Sequence, residues 1–354
     1  MLRIVPELPF ICVSKKTIHL PLALWFAFCG SCLAATAAPP DLPDPRQLPA
    51  SITNSIFYQR WLWHEQDRRL PDGRVPHRAH ERALQQIKTA QEQSPYILET
   101  PVPGNAWLPI GPAPILNGQT SGAQPVSGRI GDIAVNPSNY NHWVIGTAQG
   151  GLWDTFNAGQ TWKPRTDDQA SLAFGAVAFA PSATNIIYAG TGEEVFSGDA
   201  TSGAGLLKSV NGGVSWQLLA AATFSGTTFS VIRVHPNDPN VLLASTGRGL
   251  YKSIDGGVSW SQKHTGTAED IEVNSSNFTN MYCAIGNNGI YRSTNLGDTW
   301  TLVTGPWSST NVVGRIELAI SPSSPGTLYI SIANSSTSGL LGIWRTDNAE
   351  SPAP

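Results

Sequence analysis

Three carboxylates fall within one short stretch, "EEVFSGDATSGA": Glu193, Glu194 and Asp199, with Phe196 between them. Carboxylates beside an aromatic ring can hold a sugar, by hydrogen bonds to its hydroxyls and stacking on its face, or a cation. The same letters also describe a solvated acidic loop with a glycine hinge, because loop length alone only hints at function. Asp168, Arg248 and Trp307 join them as candidate ligand contacts, each in a connection between expected strands. Gln149, Asp167, His264, Asn287 and Asn288 stand in the same class of connection.

Two specific chemistries can be weighed against these letters. Hydrolysis of a glycosidic bond needs two carboxyl groups about 5–10 Å apart across a sugar-sized cleft. Gripping a sugar carboxylate needs clustered arginines, with a tyrosine as nucleophile. Arg129 and Arg315 both open strands as "GRI", and Arg233 lies on a third. Equivalent arginines in a repeat also cap strands, so no catalytic residue is assigned. His64, His77 and His80 accompany Glu65, Asp67 and Glu81, but none of their spacings matches a two-histidine helical ligand set. Neither a metal nor a cofactor is expected.

The elements that must position these residues are read from a repeat. "WDTFNAGQTW" ends at Trp162, "LKSVNGGVSW" at Trp216, "YKSIDGGVSW" at Trp260 and "YRSTNLGDTW" at Trp300, spacings of 54, 44 and 40 residues. A degraded copy, "WRTDNAESPA", follows. This period is that of propeller blades or another array whose units bury their faces only by stacking. Alternating apolar letters give four short strands per unit, as in "SVIRVHP", "VLLASTG", "GLYKSI" and "SWSQK". Five units are traced, from near Arg129, Gly175, Ser230, Asp270 and Arg315. The fifth lacks its last strand: Glu350 replaces a glycine and Ala353 a tryptophan. Either "WLPIGPAPI" (107–115) supplies the missing strand of a five-bladed ring, or the chain is a fragment, the reading preferred here.

The aspartate of the motif holds a turn. Asp255 precedes Gly256 and Gly257, and Asn157, Asn211 and Asn295 fill its place in the other copies. Short Asx side chains accept backbone N–H groups, and glycine supplies positive φ. An amide cannot ionise, so a catalytic acid would not tolerate that exchange. Trp162, Trp216, Trp260 and Trp300 then bury apolar surface beneath their turns.

The pattern S/T-x-D/N-x-G-x-T/S-W resembles the Asp-box, or BNR, repeat of sialidases, xyloglucan-cleaving endoglucanases, sortilin-type receptors and photosystem assembly factors, all propellers. "GPAPI", "GRIGDIAVNPSN", "GTAQGGLWDT" and "GTGEEVFSGDATSGAGLLKSVNGGVSW" resemble the opening blades of a group of large secreted bacterial BNR proteins. The resemblance extends over roughly 54–350 and implies fold more than activity. Where xyloglucanase-like relatives carry a first-blade aspartate before "GG", this chain has Ala148, and no R-I-P motif precedes the first blade. In such propellers the turns carrying the motif lie on one face, and binding uses the other.

Bulk properties agree. The chain has 354 residues, 41% hydrophobic and 13% charged, with a net charge of −3, which leaves no basic footprint for nucleic acid. Lys15 and Lys16 precede an apolar run and the small residues "ATAAPP", an export signal over 1–38. Cys12, Cys29 and Cys32 fall inside it, so only Cys283 would remain, as a small buried hydrophobe. A proline-rich linker (39–53), a helical segment (54–100) and an all-β propeller of four-stranded blades (101–354) follow. The sequence thus points to a secreted or periplasmic monomer with no membrane span after cleavage. Its expected role is binding or scaffolding, with a glycan, peptide or protein partner. A glycoside hydrolase whose carboxylates are not identifiable is the alternative.

Overall fold

A computed structural model describes residues 50–54, 58–59, 79–93, 127–194, 200–274, 277–309 and 312–351. Every described residue lies within the compact unit Leu42–Pro354. The export signal, "WLPIGPAPI", His64, His77, Phe196 and Asp199 lie outside the described residues. Helix occupies Ala50–Thr53, within the stretch read as linker, and Ala79–Gln93. Ala83 and Ile87, four residues apart on the second helix, are both exposed. Among the described residues no helix is long and apolar enough to cross a membrane.

The rest is a β-propeller. Blade 1 comprises β1 (Ile130–Val135), β2 (Trp143–Thr147), β3 (Leu152–Thr155) and β4 (Lys163–Pro164). Blade 2 comprises β5 (Phe174–Phe179), β6 (Ile187–Gly192), β7 (Ser202–Ser209) and β8 (Gln217–Leu219). Blade 3 runs through β9 (Phe229–His235), β10 (Asp238–Thr246), β11 (Gly249–Ser253) and β12 (Ser261–His264). Blade 4 runs through β13 (Ala268–Asn274), β14 (Asn277–Ile285), β15 (Gly289–Ser293) and β16 (Thr301–Val303). Blade 5 has three strands, β17 (Val313–Ser321), β18 (Ser324–Asn334) and β19 (Leu340–Thr346). Within each blade the strand pairings are antiparallel between sequence neighbours, so each blade is a simple meander.

The recurrent turn is a closed network. In blade 3, Ser253 Oγ donates to Asp255 Oδ1 (2.8 Å) and accepts from Gly257 N (3.0 Å), while Asp255 Oδ1 accepts from Val258 N (3.1 Å) and Ser259 N (2.9 Å). The acceptor therefore serves amides three and four residues on, beyond the i+2 amide of a minimal Asx turn. Gly257 sits at φ 88, which an L side chain rarely adopts. Blade 2 does the same with Asn211, whose Oδ1 accepts from Ser215 N (3.0 Å) and whose Nδ2 donates to Ser215 Oγ (2.8 Å). The tryptophans end half-buried rather than enclosed: Trp216, Trp260 and Trp300 each donate Nε1 to the glycine carbonyl of their own turn at 3.0 Å.

Asp255→Asn is therefore expected to leave the melting temperature at pH 7 unchanged. Hydrogen bonds from Ser259 hold the Asp255 carboxyl down to about 2. A depressed carboxyl stabilises above its unfolded value near 4 and loses that contribution as pH falls towards 2. Melts of parent and variant should diverge only in that acid window. Unfolding of the variant at neutral pH would refute the turn reading.

Blades stack through alternating apolar residues. Leu206 and Tyr188 of blade 2 meet Ile232 and Val234 of blade 3, and Leu250 of blade 3 meets Ala268 and Ile271 of blade 4. Cys283 is fully buried in that second cluster, and burial raises its thiol pKa. Polar contacts join the same faces. The Tyr188 hydroxyl donates to the Pro239 carbonyl of blade 3 (2.8 Å), and Lys208 Nζ to the Gly256 carbonyl (3.1 Å). The Tyr282 hydroxyl donates to the Ala349 carbonyl of blade 5 (2.5 Å), and Arg292 to that of Ser351. The first strands β1, β5, β9, β13 and β17 touch in succession and form the inner wall.

Candidate binding site at the channel mouth

The first strand of each blade runs from the face of the fourth-to-first connections towards the face of the recurrent turns. The starts of these strands therefore gather on the side away from the turns. A cavity of about 140 Å3 lies there, lined by Gly131, Gly175, Ser230, Glu269, Arg315 and Glu317 of the first strands, by Phe229 and Val231 beside Ser230, and by Glu194 after β6. All five blades contribute.

Its acidic groups are held by donors. Glu194 Oε2 accepts from Thr228 Oγ1 and Ser230 Oγ, both at 2.9 Å. Burial raises its pKa, opposed by those hydroxyls and by the Arg315 charge. Glu269 Oε2 accepts from Ile316 N (2.7 Å) across the junction of blades 4 and 5. Burial pushes Glu269 up to about 7, against that amide and Arg315, with Glu194 adding a like charge. Next to it, Asp270 Oδ2 accepts from Leu318 N (2.9 Å), and burial lifts it too to about 7. Arg315 pairs with Glu317 (2.5 Å) at the rim. Glu269 thus exchanges a proton near neutrality, and Arg315 supplies the cation. The mouth can donate to and accept from a polar ligand without a full charge imbalance.

The residues singled out in the sequence are distributed as follows. Glu194 lines the cavity. Glu193 is fully buried, gripped by Arg129 through Nε–Oε1 (2.5 Å) and Nη2–Oε2 (2.7 Å), a two-pronged tie between blades 1 and 2. Arg248 is exposed in the β10–β11 connection and donates to the carbonyls of Thr223 (3.2 Å) and Ser225 (3.0 Å). Asp168 is exposed and accepts from Gln169 Nε2 (2.9 Å). Trp307 is buried, its ring 5.4 Å from that of Trp344, within the core shared by blades 4 and 5. The cavity gathers Glu194 from this set and Arg315 from the arginines that open strands, and it adds Ser230, Glu269 and Glu317. Their signal was present: "AEDIEV" and "GRIELAI" place carboxylates on first strands that otherwise read as apolar. Among the described residues no group of three or more His, Cys, Asp or Glu could hold a metal ion.

No family model and no curated protein matches this chain. Solved structures do. An ancestral GH74 enzyme aligns over 59% of this chain and 28% of its own, at 23% identity and a TM-score of 0.49. The GH74 xyloglucanase from Xanthomonas campestris aligns over 64% of this chain and 38% of its own, at 19% identity and a TM-score of 0.49. YCF48 from Cyanidioschyzon merolae aligns over 62% of this chain and 72% of its own, at 15% identity and a TM-score of 0.44. The chain spans less than half the length of either GH74 enzyme.

Proposed function

We propose that this chain is an exported propeller of the Asp-box repeat kind that binds a glycan or a peptide at the channel mouth. The supporting observation is the five-blade cavity in which Glu194, Glu269 and Glu317 meet Arg315 on the face opposite the recurrent turns. Such a site suits a ligand rich in hydroxyl or amide groups, since its carboxyls accept and its arginine and half-protonated Glu269 donate. Export rests on the basic, apolar and small-residue succession of 1–38.

The test is to screen the full chain on glycan and peptide arrays and to assay reducing-sugar release on any polysaccharide it binds. Glu194→Gln is expected to weaken binding at least about tenfold, roughly 1.4 kcal/mol, while leaving the melting temperature within a few degrees. Unchanged binding in that variant would remove the channel mouth as the site. A second reading, glycoside hydrolysis, draws on two carboxyl groups in one cavity, Glu269, pushed up to about 7 and able to donate a proton, beside Glu194. Sugar release lost in Glu269→Gln would favour it, and binding without release would reject it.

A further inference from the structure

The arginines that open or line the first strands already have carboxylate partners. Arg129 grips Glu193 (2.5 Å), Arg233 reaches Glu272 (2.9 Å) and Arg315 pairs with Glu317 (2.5 Å). Two carboxyls of the channel mouth, Glu194 and Glu269, have no ion-pair partner among the described residues. Each also has an idle oxygen. Glu194 accepts both of its hydroxyls on Oε2, and Glu269 accepts the Ile316 amide on Oε2, so among the described residues neither Oε1 has a hydrogen-bond partner. Glu269 lies deep, only 8% exposed, and lines the cavity. A buried carboxyl with an unmet oxygen is unfavourable, and a second carboxyl in the same cavity adds like-charge repulsion. A hydroxyl or amide would meet the oxygens but leave the repulsion. A cation with several N–H donors removes both.

We propose that the channel mouth receives a lysine side chain of a peptide, its ammonium held between Glu194 and Glu269. This rests on the channel mouth being the binding site and names the chemistry of what enters it. An ammonium has three N–H donors and no acceptor, so it serves both idle oxygens at once. Its slender four-carbon stem lies along apolar surface while the charged head reaches a polar partner, here past the Arg315–Glu317 pair at the rim. The amine of an amino sugar sits directly on its ring and reaches no further than the ring does.

The same geometry couples binding to pH. Burial, with Glu194 as a like charge, pushes Glu269 up to about 7, so the entering cation displaces a proton there. The other charged groups facing Glu269 are Arg315, which opposes that shift, and Glu317, which adds to it. Asp270 beside it accepts from the Leu318 amide and does not line the cavity. Lysine, with an ordinary value of about 10.4, stays charged throughout. If only ionised Glu269 holds the ammonium, binding tightens about tenfold from pH 6 to pH 8.

Calorimetric titration of the full chain with acetyl-Gly-Lys-Gly-amide and with its Nε-acetyl form tests this. The free lysine form is expected to bind at least about tenfold more tightly, and about tenfold more tightly at pH 8 than at pH 6. Glu269→Gln keeps an oxygen for the Ile316 amide, so it should flatten that pH profile while melting no lower than the parent at pH 8. Equal affinity for the two peptides, weakened alike by Glu194→Gln, overturns the ammonium and leaves the channel mouth as the site. Affinity that Glu194→Gln leaves unchanged overturns both. A lysine peptide held equally at pH 6 and pH 8 overturns the pairing with Glu269. Failure of either peptide to bind overturns the proposal, and a glucosamine oligomer then held more tightly than its N-acetylated form would assign the ammonium to a sugar instead.

Discussion

Gly175→Ala is expected to lower the melting temperature by about 10 °C. A Cβ built there lies 1.8 Å from the Phe229 carbonyl oxygen and 2.6 Å from that of Gly192, both backbone atoms that no rotamer change can move. Blades 2 and 3 meet so closely at the inner wall that only hydrogen fits. Overpacking of this severity costs about 3 kcal/mol or more, and each kcal/mol shifts a domain of 150–250 residues by about 2–4 °C. Gly212→Ala is the control: its φ of 71 disfavours a side chain, but nothing lies within 4 Å of the new atom. Calorimetry of the two variants should separate a backbone collision from a conformational penalty. A Gly175→Ala melt within two or three degrees of the parent would show that the first strands do not approach in this way.

The second large effect depends on pH. Asp270 is buried and titrates at about 7 in the folded chain, against about 3.9 when unfolded. Between those values the native state holds a proton that the unfolded state has released. Stability is therefore highest at acid pH and falls as pH rises from about 4 to about 7, by on the order of 3 kcal/mol for a shift of this size. Glu269 acts in the same direction and by less, since it opens onto the cavity. Asp270→Asn keeps an oxygen for the Leu318 amide and cannot ionise. Urea midpoints below about pH 4 should then match the parent, while at pH 8 the variant should be the more stable. Equal pH dependence in parent and variant would mean that Asp270 ionises without cost in the native state. The sign is opposite to that of Asp255, whose depressed carboxyl weakens the fold only on the acid side.

The fold was legible because its signal is local. Each turn needs a hydroxyl, an Asx acceptor and a glycine at positive φ within a few residues, and the chain writes that requirement four times. In blade 5 the motif departs at Glu350 and Ala353, and three strands of its sheet are described. The site was less legible because it is assembled from starts of strands in different repeats. Glu194 stood out in a long loop. Glu269 and Arg315 are 46 residues apart and meet only because consecutive first strands share a wall. Trp307 looked like a ligand contact by its place in a connection, yet its indole turns inward against Gly305 and Trp344, where burying an aromatic ring outweighs presenting it. Glu193 and Glu194 are adjacent in the chain and face different partners, Arg129 on one side and Thr228 and Ser230 on the other. Period-two alternation predicts such a split for any strand-like pair.

The tyrosine and cation that reach across a junction are answered by carbonyl oxygens at Pro239, Gly256, Ala349 and Ser351. A carbonyl is present whatever side chain follows it. At these two junctions recognition is thus indifferent to the spelling of the turn being recognised, provided its main chain keeps its path, whereas at the junction of blades 3 and 4 Lys252 Nζ reaches the Asp298 side chain (2.9 Å). The worn copy at 344–353 illustrates the result: it has lost its second glycine and its tryptophan and is still held by Tyr282 and Arg292. A repeat joined in this manner can accumulate substitutions in its most exposed letters without uncoupling its units, which frees those positions for other uses.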